Sequence, residues 1–84
     1  MGDIGVLLKV MPESPETDLE RIKQEIKDRI KVEDMNEEDL AFGLKAIKVL
    51  TLVDDAEGGT EEVEEKLQGM EGVKGIEVED VTKI

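Results

Sequence analysis

The densest set of chemically capable side chains is Asp54, Asp55, Glu57, Glu61 and Glu62, gathered around Gly58-Gly59. Carboxylates at that density can hold a hard cation, but a calcium loop needs oxygen ligands at alternating positions and a glycine at the sixth. Counted from Asp54 the third position is Ala56, and counted from Asp55 the sixth is Thr60, so both registers fail and a solvated loop is the expectation. Gly69-Met70-Glu71-Gly72 has the bare spacing of a loop that clamps a nucleic-acid backbone, yet Glu71 carries the wrong sign for phosphate. A helix stop followed by a turn is the better reading. Phe42 is the one aromatic of the chain and is followed by Gly43, while Lys83 stands next to the terminal Ile84. A lone aromatic at a loop tip can anchor in a partner's pocket, although large apolar side chains usually bury. Its place between two strand-like stretches, rather than on either one's regular face, favours the anchor. Chain ends usually fray, but a strand running almost to the end would hold Lys83 in place.

Whole classes of chemistry are missing. The 84 residues include no Cys and no His, which removes zinc fingers, thiol chemistry, disulfides and imidazole general-base catalysis. Neither a GxxxxGK[ST] loop nor a GxGxxG loop occurs. Acidic residues number 23 against 11 basic ones, and a net charge of −12 opposes phosphate backbones. With no Trp or Tyr there are also no base-stacking platforms beyond Phe42. No apolar run approaches the ~18 residues a membrane span needs, and Asp3 stands where a secretory leader would be basic. Myristoylation wants Ser or Thr at position six, which is Val6. A soluble cytoplasmic protein with no cofactor and no metal is expected. Charged residues are 40% of the chain and Asn36, Gln24 and Gln68 are its only side-chain amides, a composition that leans towards a thermophile.

Any site must be positioned by one small domain spanning residues 1–84, since the length is well below the ~150 residues of an average domain. Ile4, Val6, Leu8 and Val10 alternate with other residues and predict a first strand, closed by Pro12, which cannot donate to a ladder. Thr17 and Glu20 have capping-box spacing, and Leu19, Ile22, Ile26 and Ile30 follow on one helical face. Residues 32–39 show poor periodicity and read as a frayed edge strand or a loop, with inserted charges protecting the edge. Leu40 to Leu44 reads as a bend. Ala46 to Val53 is the most strand-like stretch, with Ile47, Val49, Thr51 and Val53 on one face. Thr60 caps a second helix that buries Val63, Leu67 and Met70 and stops at Gly69. Gly72 and Gly75 then frame a turn before a last strand with Ile76, Val78 and Val81. The order β-α-β-β-α-β predicts an α+β fold, a ferredoxin-like two-layer sandwich. Its antiparallel sheet should run 4-1-3-2, with both helices on one face.

The residues also resemble a family, the exchange domain of translation elongation factor 1-beta, most closely its short archaeal form. Four stretches carry the likeness in the same order along essentially the whole chain: Val6-Leu7-Leu8-Lys9-Val10 with Pro12 and Glu16-Thr17-Asp18-Leu19, then Phe42-Gly43-Leu44-Lys45, Val53-Asp54-Asp55, and Lys83-Ile84. The resemblance implies a guanine-nucleotide exchange factor whose partner is the GTPase elongation factor 1-alpha. It implies that Phe42 packs against that GTPase and disturbs its nucleotide site, and that Lys83 reaches towards its Mg²⁺ position. Phe42, Gly43, Lys83 and Ile84 would then bind the partner, with no catalytic residue and no resident metal. The chain departs from larger eukaryotic members, with Glu13 in place of a Trp and Val81 in place of a bulky aromatic.

Two other readings share the predicted fold. A small regulatory or adaptor module would bind a ligand or protein partner without a GTPase. A phosphate-handling enzyme such as acylphosphatase needs an arginine in a loop, whereas Arg21 and Arg29, the only arginines, both fall on the first helix.

Overall fold

A computed structural model describes residues 3–54 and 60–83. Its elements are β1 (Asp3–Pro12), α1 (Leu19–Arg29), β2 (Val32–Asp39), a single 3-10 turn (Ala41–Gly43), β3 (Lys45–Asp54), α2 (Thr60–Leu67) and β4 (Val73–Lys83). The strands form one antiparallel sheet in the order β2-β3-β1-β4. Read from the other edge this is the expected 4-1-3-2, and the α+β sandwich is as the sequence predicts.

Alternation decides which face of the sheet is covered. Val6 pairs with Thr51, Leu8 with Val49 and Val10 with Ile47, so these side chains share one face. All six are buried, and Ile22 and Ile26 of α1 and Val63 and Leu67 of α2 join the apolar ones in a single cluster. Thr51 is polar in this setting, and its hydroxyl is satisfied by donating to the Lys31 carbonyl. No described helix is long and apolar enough to cross a membrane.

Three local expectations need correction. Thr17 does not cap α1. Asp18 does, in an extended conformation, with Oδ1 accepting from the Arg21 N–H at 3.3 Å. Its carboxylate adds a negative charge at the positive end of the helix dipole. Thr17 instead closes the preceding turn, its Oγ1 accepting from the Ser14 N–H at 3.2 Å. Residues 32–39 are neither loop nor frayed, but an eight-residue edge strand. A bulge between Val32 and Asp34 explains the lost periodicity, because it brings Val32 and Met35, three apart, onto the same covered face. Gly75 lies inside β4, paired with Met11, and frames no turn.

The turn after α2 uses Gly69 (φ 79°) and Gly72 (φ 86°), both left-handed. A Cβ on Gly69 would meet nothing, whereas one on Gly72 would lie 3.0 Å from Thr17 Cγ2 and 3.2 Å from an Arg21 nitrogen. Gly72 is therefore the closer junction, and its carbonyl accepts from the Glu13 N–H at 2.9 Å. Gly69→Ala should cost ~1 kcal/mol through backbone strain alone, and Gly72→Ala about twice that. Urea denaturation of the two variants checks the order.

Lys23 of α1 donates to Glu37 of β2 and ties the helix to the sheet edge. That hydrogen bond holds the Glu37 carboxyl below its ordinary 4.5 and Lys23 above its ordinary 10.5. The sign follows from linkage. The Glu37 contribution is present above pH 4.5 and lost as pH falls through its lowered folded value. The Lys23 contribution is present below pH 10.5 and lost as pH rises through its raised one. The melting-temperature difference between wild type and Glu37→Gln should be constant across that window and shrink at both extremes.

Candidate functional site

The sequence-selected residues lie at two ends of the sheet. At one end β2 passes into β3 through Leu40–Leu44. The Leu40 N–H donates to the Leu44 carbonyl at 2.7 Å, and the Leu44 N–H donates to the Ala41 carbonyl at 3.3 Å. Between them Phe42 sits at φ 61°, ψ 31° and Gly43 at φ 76°. Two successive left-handed residues turn the chain sharply, a course natural for glycine and costly for phenylalanine. Phe42 is 92% exposed, so its ring leaves the core entirely. Gly43 approaches Pro15 of the β1–α1 loop, where a Cβ would lie 4.0 Å from Pro15 Cβ.

Lys83 is at the opposite end. It is exposed, it is the last residue of β4, and it pairs with Ile4 at the start of β1. Among the described residues no carboxylate forms an ion pair with it. Ile84 lies outside the described residues. Ile4 also pairs with Val53, and the Phe42 turn begins beyond Lys45 on the same strand. At ~3.3 Å per residue, the two ends are about 26 Å apart along β3. The structure thus separates Phe42 and Gly43 from Lys83 rather than gathering them in one pocket.

A charged group that sequence reasoning missed lies on the uncovered face. Lys9 and Lys48 are direct partners on β1 and β3, an arrangement that would repel. Glu38 of β2 compensates them. Its Oε2 is sealed from solvent, 3.1 Å from Lys48 Nζ and 4.0 Å from Lys9 Nζ. Glu79 of β4 reaches Lys48 at 3.4 Å. Glu38 first, and Glu79 behind it, hold Lys48 above its ordinary ammonium value. The signal was the facing register of Lys9 and Lys48, which no single strand reveals.

Among the described residues no group of three or more carboxylates could hold a metal. Of the acidic cluster, Asp55 and Glu57 lie outside the described residues. Gly69–Gly72 is a helix stop and turn whose Glu71 carbonyl accepts from Arg21. Arg29 donates to the Lys66 carbonyl at 3.0 Å and the Gln68 carbonyl at 3.2 Å, at the end of α2. Both arginines are thus committed to fastening α1 to the α2–β4 turn, away from any phosphate loop.

An α+β sandwich that holds an exposed, strained aromatic at a hairpin tip presents the kind of anchor found in the class of protein-interaction modules. The comparisons place it within that class. Residues 5–84 match the EF-1 guanine nucleotide exchange domain, and the chain belongs to that family, whose role is nucleotide exchange in translation elongation. It is 52% identical to elongation factor 1-beta of Methanothermobacter thermautotrophicus, over all of this chain and 99% of that protein. It is 47% identical to the elongation factor 1-beta of Methanosphaera stadtmanae over the same shares of both chains. The elongation factor 1-beta of Methanosarcina barkeri is 45% identical over the full length of both.

Proposed function

We propose that this chain is a guanine-nucleotide exchange factor that promotes GDP release from elongation factor 1-alpha. It works as one domain, as a monomer in the cytoplasm, without nucleic acid and without catalysing a covalent step. The observation that carries this reading is Phe42. An aromatic side chain almost fully in water, at a backbone angle that resists it, stabilises nothing in the free protein and is suited to a partner's pocket. Lys83 forms the second contact, and its ammonium competes with Mg²⁺ on the GTPase side. Mg²⁺ bridges the nucleotide phosphates and is the largest local positive charge there, so displacing it loosens the nucleotide. The factor needs only to bind the empty GTPase better than the loaded one. Its net charge of −12 steers it to a basic surface.

The test is release of labelled GDP from elongation factor 1-alpha with and without this protein. Catalytic amounts should accelerate release. A release rate that does not respond to the factor refutes the reading and leaves the adaptor alternative.

A further inference from the structure

Phe42 and Lys83 are diagonal corners of the sheet. Phe42 leads from β2 into β3 at one end, and Lys83 closes the outer edge of β4 at the other. A line between them runs from the β2–β3 turn over β3 and β1 to β4. On one face that line runs under α1 and α2, which pack there through Ile22, Ile26, Val63 and Leu67. Both helices are committed to that side, and the other face carries the alternate residues.

One row of that second face has a distinctive composition. Asp34 of β2 pairs with Leu50 of β3, Leu50 with Leu7 of β1, and Leu7 with Asp80 of β4. Two leucines are therefore flanked by two aspartates in a single line across the sheet. Leu50 is 36% exposed, a large apolar group in water at the centre of a sheet. Each aspartate stands beside a bulge of its edge strand and is exposed. In each, Oδ1 accepts from the following N–H, Met35 and Val81 respectively, both at 2.9 Å. Neither aspartate has an ion-pair partner among the described residues, unlike the Lys9–Glu38–Lys48–Glu79 group in the next rows. With strands ~4.8 Å apart, the two carboxylates stand roughly 14 Å from each other.

From this arrangement we propose that the Asp34–Leu50–Leu7–Asp80 row is a third docking contact. Resting on the exchange reading above, it seats the GTPase between the Phe42 and Lys83 ends. The occupant is a surface with aliphatic side chains set between two lysines or arginines, matched to the leucine pair and its flanking carboxylates. A second copy of this chain does not fit. It would set the same carboxylates against one another on molecules that each carry −12.

The test is GDP release by three proteins, wild type, the double charge reversal Asp34→Lys/Asp80→Lys, and Leu50→Thr, at limiting factor and over a range of salt. Leu50→Thr keeps a strand-favouring side chain and removes only the apolar contact, so it reports even if the double variant folds poorly. The expected result is an at least tenfold loss of exchange by the double variant at low salt, with a weaker salt dependence than wild type. Leu50→Thr should lose severalfold with its salt dependence intact. Melting temperatures should change by only a few degrees. An active wild type whose variants match it in rate and salt dependence overturns the docking row alone. A wild type without effect on GDP release overturns the exchange reading and the row together. A wild-type dimer that Asp34→Lys/Asp80→Lys dissociates would give the row to a second copy and overturn the proposal.

Discussion

Phe42→Ala should lower GDP release from elongation factor 1-alpha by about thirtyfold, the equivalent of ~2 kcal/mol at an interface hot spot. It should do so without unfolding the protein. A buried phenylalanine cut to alanine costs ~3–5 kcal/mol because a cavity remains. Phe42 is 92% exposed and leaves no cavity, so the expected loss is under ~1 kcal/mol. The backbone permits a sharper test. At φ 61° any residue with a Cβ is strained, and phenylalanine gains nothing from packing to offset it. Phe42→Gly removes that strain and should stabilise the chain by up to ~1 kcal/mol while abolishing the anchor. Stability and activity would then move in opposite directions on one side chain. A melting temperature that falls steeply in Phe42→Ala would instead make the ring a structural element and end the anchor reading. The measurement pairs a thermal melt with GDP release for each variant.

That exposure was legible in the sequence because Phe42 lies outside the alternation of the strand that follows it and is succeeded by glycine. β1, α1 and β3 were legible for a related reason. Each is long enough for its periodicity to repeat without interruption, as in Val6, Leu8, Val10 or Ile22, Ile26. The edge strands were less so. A bulge adds a residue and shifts the face, so Val32 and Met35, like Val78 and Val81, fall three apart while facing the same way. Pattern reading at a period of two cannot register that shift. The α1 cap was misplaced by one residue because Thr17 and Asp18 are both good caps, and the choice depends on Ser14, which holds Thr17 in the preceding turn. The candidate residues could be named from the sequence, but their placement could not. Only strand register puts Lys83 beside Ile4, some 26 Å along β3 from the turn that carries Phe42. The same register brings Glu38 and Glu79 to Lys48 across three strands.

Separation of the two ends makes the role of Lys83 testable independently of Phe42. Lys83→Ala removes an exposed side chain and keeps the backbone that pairs with Ile4, so stability should barely change. Binding should persist, since Phe42 and the acidic surface remain. Exchange should not. If the Lys83 ammonium competes with Mg²⁺ in the GTPase, losing it matters most where the metal site is saturated. The expected loss is about tenfold at high Mg²⁺, corresponding to ~1.4 kcal/mol of differential binding. With EDTA present the metal is already gone, and Lys83→Ala should approach the wild-type rate. Lys83→Arg keeps the charge but spreads it over a planar guanidinium, which is a poor substitute for a compact ion, so rescue should be partial. Phe42→Ala provides the contrast: its deficit comes from lost packing and should not depend on Mg²⁺. A Lys83→Ala variant that keeps pace with wild type throughout a Mg²⁺ titration would remove the metal-competition role and leave Phe42 as the element that drives exchange.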